Sequence, residues 1–558
     1  MAITTLSDYT MTGLLRRNAR EIPQNDCVVA PEYGVRWSWQ EFDRLTSLVA
    51  RGMMAMGIKK GDHVGIWATN LPEWMLTMFA SAKIGAVLVT VNTNYKQFEL
   101  EYLLRQSDTK MLVMMPENRD NSYMKHVEAL MPSLLTNPPE ETGDPGLPFL
   151  KSVVVIGETH DIPMGARRFS DFYDLAEAVP EAELEALIAS AKTHDVINMQ
   201  YTSGTTGFPK GVMLTHHNIT NNGQFMGDRM KFTSDDRLLI VVPLFHCFGC
   251  VLGVMSCLTH GTTMVLMERY HPLKEMEILV AQRCTAVHGV PTMFIGMLEH
   301  PDFDKFDFSR LRTGIMAGSP CPIKAMRDVN TKMHMNEITI VFGQTESSPG
   351  MTQSSADDPL ELRVATVGKL LPCTEGKIVS PETGLEQPRG VPGEIVTRGY
   401  LVMKGYYKMP EATRLAIDNE GWLHTGDIGT MDEEGNFRIT GRLKDMIIRG
   451  GENVYPREIE EFLYTHPAVR DVQVVGVPDA KYGEEILACV ILRDGQEATP
   501  EELIQFVKNG MSRFKSPRYV IFMDSFPMTA SGKIQKYKLR ELGVQTLGLQ
   551  AADAIETA

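Results

Sequence analysis

The sequence predicts an α/β protein with two domains, and two observations support that prediction. Short apolar strands alternate with helices in the first part of the chain, beginning with strands at 63–68 and 86–91 on either side of a helix. This alternation is typical of layered α/β sheets. After Gly441 the order changes to a compact unit of helix, two strands, helix and strand. We therefore expect an amino-terminal domain over 1–443 and a smaller α+β carboxy-terminal domain over 444–558.

The individual elements follow from apolar runs and from prolines that begin helices. Pro72 follows the first strand closely and predicts the start of the first crossover helix. The segment 137–148 is rich in Pro, Gly and Glu, which predicts a surface loop. Further strands are predicted at 153–156, 238–242, 263–266 and 338–342, and the second domain is predicted to contain helices at 456–464 and 500–508 and strands at 472–477, 487–492 and 519–523.

Length, composition and charge limit the classes of protein to consider. A chain of 558 residues is too long for one ordinary hydrophobic core. Hydrophobic residues make up 43% and charged residues 22%, the proportions of a globular protein. The formal net charge of -15 disfavours nonspecific attraction to nucleic acid, because nucleic-acid phosphates require a basic surface. We expect no nucleic-acid partner.

Several features predict a cytoplasmic protein without integral membrane association. The segment 1–20 contains no apolar run of signal-peptide length, and the eight cysteines are scattered as in proteins of reducing compartments. The uncharged stretch 238–258 is interrupted by Pro243, which favours a buried strand, turn and helix over a membrane span. Cys247 and Cys250 have no second pair at metal-site spacing, so we interpret them as small buried residues.

The strongest chemical signal is the segment 201–211, Tyr-Thr-Ser-Gly-Thr-Thr-Gly-Phe-Pro-Lys-Gly, which follows an apolar run. Glycines allow backbone N–H groups to turn toward an anion, and the hydroxyls and Lys210 add further donors. The segment is not a P-loop of the NTPase type, because Lys210 follows Phe-Pro and no helix obviously begins there. Its composition predicts a phosphate-binding loop, with a flexible linker as the alternative.

A second signal is Phe-Gly-Gln-Thr-Glu at 342–346, directly after a predicted strand. A carboxylate at the carboxyl end of a strand is well placed to hold Mg²⁺. The Thr345 hydroxyl beside Glu346 would then reach a phosphate. The alternative is that Glu346 is an ordinary solvated acid.

Two weaker signals lie further along the chain. Asp427 ends Gly-Trp-Leu-His-Thr-Gly-Asp, and Arg442 follows fifteen residues later. A carboxylate and a guanidinium together could bind ribose hydroxyls, or they could form a structural salt bridge. Lys533 follows Gly532 in a short loop at 529–534, so a mobile loop could carry its ammonium into a site on another domain, although most such lysines are merely solvated.

These four motifs, in this order and at these separations, closely resemble those of the acyl-adenylate-forming (AMP-binding) superfamily. That superfamily contains acyl-CoA synthetases, nonribosomal peptide adenylation domains and firefly luciferase, and the chain is most similar to medium- and long-chain fatty acyl-CoA synthetases. The resemblance extends from about Leu14 to Leu542. It implies a small β-barrel-like part in the large domain, a mobile second domain, and ATP, Mg²⁺ and coenzyme A as cofactors. The implied reaction joins a carboxylic acid, ATP and coenzyme A into acyl-CoA, AMP and diphosphate.

The resemblance also implies which residues bind each part of the nucleotide. Thr345 would bind the α-phosphate and Glu346 would hold Mg²⁺, while Asp427 and Arg442 would bind the ribose. The phosphate and adenine environment would be formed by Thr202, Ser203, Gly204, Thr205, Thr206, Gly207, Phe208, Pro209, Lys210, Gly318, Ser319, Pro320, Gly343 and Gln344.

The remaining implied roles concern the acid, the hinge and the thiol. His246, within Pro-Leu-Phe-His-Cys-Phe-Gly, matches an aromatic gate before the acyl tunnel. Lys444 matches the interdomain hinge, and Gly450, Gly451 and Glu452 match a loop that approaches the pantetheine of coenzyme A.

The chemistry of the implied reaction agrees with these residue types. A carboxylate that attacks an α-phosphate brings two anions together, so the site must neutralise both and align them. Lys533, Mg²⁺ and backbone donors would do so, and phosphoryl-type transfer needs little covalent help from the protein. Only this first step needs Lys533, so rotation about Lys444 would withdraw it before the thiol attacks the acyl-adenylate.

Other functions remain open from the sequence. The acyl group could pass to a carrier protein, or the chain could be a nucleotide-binding protein of the same fold without catalysis. An oxygenase resembling luciferase and a membrane transport protein are less favoured. The acid itself is open among fatty, branched and aryl acids, with a medium-chain fatty acid first and with pocket walls expected at 245–252 and 288–294. A homodimer is compatible with the sequence.

Overall fold

The computed structural model describes two compact units of different size. The described residues are 5–158, 161–202, 209–318, 321, 323–442, 445–449, 452–479, 482–511, 513–529 and 534–550. The first unit contains Met1–Glu375 and Thr397–Leu423, and the second contains Gly376–Val396 and His424–Ala558. The prediction of a large α/β part and a smaller second part is confirmed. Lys444, where we place the domain boundary, lies outside the described residues, so that boundary stays a prediction.

A nine-stranded sheet forms one half of the first unit. In spatial order its strands are β16 (Lys369–Leu370), β15 (Gly350–Gln353), β14 (Glu337–Gly343), β13 (Thr313–Met316), β12 (Ala286–Gly289), β10 (Arg237–Ile240), β11 (Thr263–Leu266), β1 (Asp26–Ala30) and β2 (Val35–Ser38). The strands from β14 to β1 pair in parallel, and the pairs at both edges are antiparallel.

An eight-stranded sheet forms the other half. In spatial order its strands are β19 (Gly405–Tyr406), β9 (Lys210–Thr215), β8 (Val196–Thr202), β4 (Val87–Thr90), β3 (His63–Trp67), β5 (Thr109–Met114), β6 (Ser152–Val155) and β7 (Arg167–Arg168). The strands from β8 to β7 are parallel, whereas β9 pairs antiparallel with both β8 and β19.

Helices cover these sheets. They are α1 (Met11–Glu21), α2 (Trp39–Ala55), α3 (Pro72–Ile84), α4 (Gln97–Gln106), α5 (Tyr123–Leu130), α6 (Asp171–Leu175), α7 (Glu181–Ala189), α8 (His216–Arg229), α9 (Ser256–His260), α10 (Pro272–Ala281), α11 (Pro291–Leu298), α12 (Ile323–Lys332), α13 (Leu360–Ala365), α14 (Pro410–Ala416) and a π-helix at Phe248–Met255. Short 3₁₀ helices lie at Pro31–Tyr33, Pro132–Leu135, Pro139–Glu141, Ala176–Ala178, Phe303–Lys305, Thr345–Ser347 and Arg513–Lys515.

The largest hydrophobic cluster lies between the two sheets. Helix α3 begins at Pro72, as predicted, and is buried along nearly its whole length. It shares the cluster with Val28 and Ile240 of the nine-stranded sheet and with Val64 of the eight-stranded sheet. Burial of apolar area on this scale is the main stabilising contribution to such a domain.

The apolar stretch that begins at 238 forms strand β10, a turn, the π-helix and α9. All residues of the π-helix are buried, which confirms the prediction of a core segment. No described helix combines the length and the apolar character needed to cross a membrane.

A four-stranded sheet is formed between 374 and 442. Its order is β17 (Thr374–Val379), β18 (Gly393–Gly399), β20 (Leu423–Met431) and β21 (Phe437–Arg442). The resemblance implied a barrel-like part, but this sheet is open: no pairing among the described residues joins β17 to β21.

The end of the chain forms a second α+β core. Its strands are β22 (Ile447–Arg449), β23 (Glu452–Val454), β24 (Val469–Asp479), β25 (Gly483–Leu492) and β26 (Tyr519–Phe522), and its helices are α15 (Pro456–Leu463), α16 (Pro500–Gly510) and α17 (Lys536–Thr546). The order of helix, two strands, helix and strand from 456 to 522 is the predicted one. It arises because alternating apolar residues on β24 and β25 pack against the amphipathic helices.

The carboxyl group of Glu275 is buried without a hydrogen-bond partner among the described residues. Glu275 lies on α10 with an exposed fraction of 0%. Neither of its carboxylate oxygens has a hydrogen-bond partner in the part of the chain that the structure describes. Burial raises the pKa of Glu275 from 4.5 to about 8, so its side chain is mostly protonated in the folded protein near neutral pH.

We expect Glu275 to make the protein less stable as pH rises. The unfolded chain releases this proton near pH 4.5 and the folded chain only near pH 8, so the free energy of unfolding falls between these values by about 1.4 kcal/mol per pH unit. Glu275→Gln should remove that part of the slope, measured by urea unfolding at pH 5, 6.5 and 8. The control is Glu277→Gln, on the exposed face of the same helix. Equal slopes in wild type and Glu275→Gln would contradict the assignment.

Candidate active site

The two ends of the predicted phosphate-binding loop lie opposite one another. Strand β8 ends at Thr202 and β9 begins at Lys210, and these two residues are register partners in the antiparallel pair. Pro209 is held from the side, since its carbonyl accepts a hydrogen bond of 3.0 Å from the Tyr102 hydroxyl. Ser203, Gly204, Thr205, Thr206, Gly207 and Phe208 lie outside the described residues, so their role in phosphate binding stays a prediction.

Glu346 lies next to these strand ends. It is buried, with 9% of its surface exposed, in the 3₁₀ helix that follows β14. Its Oε1 accepts a hydrogen bond from Thr202 Oγ1 at 3.3 Å and another from the Tyr406 hydroxyl at 2.8 Å. The structure therefore brings together the two strongest motifs, which are 144 residues apart.

Tyr406 is a site residue that sequence reasoning missed. It lies on β19 opposite Val212 of β9, and Lys210 Nζ lies 4.9 Å from the centroid of its ring. Burial, followed by the charge of Glu346, raises the pKa of Tyr406 above its ordinary value, so the phenol keeps the proton that it donates. The segment Gly-Tyr-Tyr matches no chemical motif, and no signal in the sequence could have identified it.

A tight turn sets the direction of the 3₁₀ helix. Gly343 ends β14 with a φ of 156°, and a Cβ there would lie only 1.9 Å from the carbonyl oxygen of Pro349. Any side chain would therefore force the two segments apart. The Gln344 amide donates to Ser347 Oγ at 3.0 Å. Gly343 and Gln344 thus shape the backbone that presents Thr345 and Glu346.

Thr345 lies beside the segment that carries His246. Its Oγ1 is 3.4 Å from Cys247 Sγ. The His246 Nδ1 accepts a hydrogen bond of 3.2 Å from the amide of Phe248, so in the neutral imidazole the proton is on Nε2. Cys247, which we interpreted only as a small buried residue, is buried as predicted and also contacts a predicted catalytic residue.

The two predicted walls of the acyl pocket contact each other through His288. This residue is fully buried on β12, where Nε2 donates to the Leu252 carbonyl of the π-helix at 3.2 Å. Its Nδ1 accepts from the Ile315 amide at 3.2 Å, and its ring stacks on Phe248 with centroids 5.9 Å apart. Burial lowers the pKa of His288 to about 4, so this wall is uncharged at neutral pH.

The predicted ribose residues lie together in the second unit. Asp427 of β20 and Arg442 of β21 are register partners in an antiparallel pair, and the Asp427 side chain is buried. The fifteen-residue spacing therefore corresponds to two adjacent strands joined by a short connection.

Several other predicted residues can be placed only in part. Gly318 follows β13 in a left-handed conformation with a φ of 88°. Glu452 begins β23, and its side chain is not described. Besides the loop residues 203–208, the predicted residues outside the described part of the chain are Ser319, Pro320, Lys444, Gly450, Gly451 and Lys533.

The donor set around Glu346 suits Mg²⁺. The two described donors share Oε1, and Oε2 accepts no described hydrogen bond. Mg²⁺ prefers oxygen ligands and is usually bound by one or two carboxylates together with substrate phosphates and water. Among the described residues, no group of three or more His, Cys, Asp or Glu side chains forms a protein metal cage. A single carboxylate beside the ends of the predicted phosphate-binding loop fits an ion that is bound together with substrate phosphates.

Comparison with known proteins identifies relatives along nearly the whole chain. The chain is 54% identical over 543 residues to the Bacillus subtilis (strain 168) protein named "Putative acyl-CoA synthetase YngI", covering 97% of this chain and 98% of that protein. It is 38% identical over 543 residues to the Homo sapiens mitochondrial medium-chain acyl-CoA ligase ACSF2, covering 96% of this chain and 88% of that protein.

A solved structure has the same fold. The crystal structure of ATP-bound MatB from Rhodopseudomonas palustris superimposes with a TM-score of 0.82 at 29% identity, covering 96% of this chain and 99% of that chain. The family model described as AMP-binding enzyme matches residues 15–407, and that of the AMP-binding enzyme C-terminal domain matches residues 458–533. With the two strongest sequence motifs meeting at Glu346 and relatives of this identity over almost all of its length, the chain belongs to the AMP-binding enzyme family.

Proposed function

We propose that the chain is an ATP-dependent acyl-CoA synthetase that works through an acyl-adenylate, with medium-chain fatty acids as substrates. The observation that carries this proposal is the meeting of Thr202, Lys210 and Glu346 at one point of the first unit. These residues supply a metal-binding carboxylate and a cation beside a loop rich in glycine and hydroxyl groups. Relatives that are named as acyl-CoA synthetase and medium-chain acyl-CoA ligase support the choice of thiol and acid.

The first step would use the residues of the first unit to bind and orient ATP. Lys210 and the donors of the loop bind the phosphates, and Thr345 donates its hydroxyl to the α-phosphate. Glu346 holds Mg²⁺, which when bound neutralises charge on the phosphates. Because the carboxylate of the acid and the α-phosphate are both anions, binding them in line is the main task of these residues.

The acid would lie between the two walls joined by His288. The π-helix wall is fully buried and apolar, and the neutral His288 imidazole adds no charge to it. His246 belongs to the same predicted wall, and the next residue, Cys247, contacts the Thr345 hydroxyl. An apolar chain followed by a carboxylate at Thr345 fits this order of side chains, which supports a fatty acid over a charged or strongly polar acid.

The second step would need the second unit. Lys533 is proposed to act only in adenylation, and the segment 450–452 is proposed to approach the thiol after rotation about Lys444. Asp427 and Arg442 are proposed to bind the ribose, and their register pairing supports a joint role. A carrier protein is the alternative acyl acceptor. A homodimer is a separate proposal that concerns assembly only.

The proposed function is tested by pyrophosphate release from ATP and Mg²⁺ with acids from acetate to palmitate and with benzoate. We expect release to be greatest with medium-chain acids and to become catalytic only when coenzyme A is added, because the bound acyl-adenylate then turns over. Release that continues only with an added carrier protein would favour the alternative acceptor. No release with any acid would contradict the proposal.

Replacement of the metal-binding carboxylate should affect turnover more than folding. We expect Glu346→Gln to lower kcat for pyrophosphate release by about 10²- to 10³-fold, since it removes charge stabilisation in the transition state. The amide can still accept the hydrogen bonds from Thr202 and Tyr406. The control is Glu361→Gln, at an exposed position of α13, which should retain wild-type kcat. Equal kcat in both variants would exclude Glu346 from the reaction.

The two steps should be separable by variants of the second unit. We expect Lys533→Ala to lose adenylation and to retain thioester formation from preformed acyl-adenylate and coenzyme A. Lys444→Pro should show the opposite pattern, because proline restricts the hinge rotation. Both half-reactions are measured by chromatography of the acyl-adenylate and acyl-CoA. Normal thioester formation by Lys444→Pro would count heavily against rotation about this residue.

A further inference from the structure

The Tyr406 side chain contacts both the cation and the carboxylate of the candidate site. Its hydroxyl donates to Glu346 Oε1 at 2.8 Å, and its ring faces Lys210 Nζ at 4.9 Å. The second donor to the same oxygen, Thr202 Oγ1, is further away at 3.3 Å. Tyr406 therefore donates the shorter of the two described hydrogen bonds to the Glu346 carboxylate.

The backbone around Tyr406 is held from both sides. The Tyr407 amide donates to the Gly211 carbonyl at 2.8 Å, and the Lys404 amide donates to Met213 at 3.0 Å, so β19 is locked to the strand that begins at Lys210. The Tyr406 amide donates to Thr413 Oγ1 of α14 at 2.9 Å. These contacts hold the backbone from which the Tyr406 side chain extends toward Glu346.

The same segment supports the helix that carries Glu346. The Met403 amide donates to the Glu346 carbonyl at 2.9 Å. The Asn218 side chain of α8 donates to the Val402 carbonyl at 3.1 Å. The segment 402–407 therefore connects the Glu346 backbone with β9, and Tyr406 is the side chain of this segment that reaches the carboxylate.

We propose that Tyr406 is a positioning residue for the metal: its hydroxyl holds Glu346 Oε1 so that Oε2 faces a divalent cation, while its ring holds the Lys210 ammonium beside the phosphates. This inference rests on the proposed function, because the cation is that of a metal–ATP complex. A ligating carboxylate is oriented by the hydrogen bonds that it accepts, and loss of such a partner typically costs about 10- to 100-fold in metal affinity or activity.

The proposal separates two roles of one side chain. Tyr406→Phe removes the hydroxyl and keeps the ring over Lys210, so it should weaken metal binding and leave metal-free nucleotide binding unchanged. Tyr406→Leu removes both, so it should also weaken metal-free nucleotide binding. Tyr407→Phe is the matched control, since the Tyr407 hydroxyl donates to Asp108 at 2.9 Å instead.

The experiment measures Mn²⁺ binding by electron paramagnetic resonance, with the full-length chain and the non-cleavable nucleotide α,β-methylene-ATP. We expect the Kd for Mn²⁺ to rise about 10- to 100-fold in Tyr406→Phe and to stay at the wild-type value in Tyr407→Phe. In pyrophosphate release, we expect Tyr406→Phe to recover turnover when Mg²⁺ is raised by a similar factor. If Tyr406 had only a structural role, turnover of Tyr406→Phe would not recover when Mg²⁺ is raised.

Two results would overturn the proposal: an unchanged Kd for Mn²⁺ in Tyr406→Phe, or a loss of turnover that high Mg²⁺ does not restore. Thermal unfolding of each variant identifies one that fails to fold. In that case Thr202→Val, which removes the other donor to Oε1, provides the second test, and we again expect the Kd for Mn²⁺ to rise. Failure of the proposed function has a different signature, because the wild type itself would release no pyrophosphate while Mn²⁺ binding still differed between Tyr406→Phe and Tyr407→Phe.

Discussion

Two hydroxyl groups from distant parts of the chain donate to one oxygen of Glu346, and this contact depends on the strand order of both sheets in the first unit. Thr202 arrives at the end of β8, and Tyr406 arrives on β19, which is attached to the far side of β9. Glu346 itself follows β14 of the other sheet. The contact therefore requires both sheets, in their observed strand orders, to end at the same place.

Glu346 and Glu275 show how strongly the surroundings decide what a buried glutamate can do. Glu346 accepts hydrogen bonds from the hydroxyls of Thr202 and Tyr406, and the ring of Tyr406 contacts the Lys210 ammonium. Glu275 has no described partner, and burial raises its pKa to about 8. A buried carboxyl group without partners favours its neutral form. The surroundings of Glu346 suit metal binding, whereas the buried and unpartnered Glu275 lowers the stability of the fold as pH rises.

The predictions that depended on local physical chemistry were the ones that the structure confirmed. Pro72, Pro456 and Pro500 begin α3, α15 and α16, because proline fits the first turn of a helix, where its missing N–H is not needed. In the first unit the predicted strands lie within two residues of the observed limits, whereas β24 and β25 begin three and four residues earlier than predicted. The barrel-like part is different, because closure depends on how the edges of a sheet meet and no local pattern encodes that.

Residues that are close together along the chain were enough to predict the α/β class, the helix starts and candidate residues for phosphate, metal and ribose. The contact of Thr202 with Glu346, that of Cys247 with Thr345, and the link through His288 between the two predicted pocket walls depend on tertiary packing, which joins residues far apart in sequence. Tyr406 is the clearest case: a tyrosine on a two-residue edge strand has no distinguishing pattern. It becomes a site residue because strand order places it beside Lys210 and Glu346.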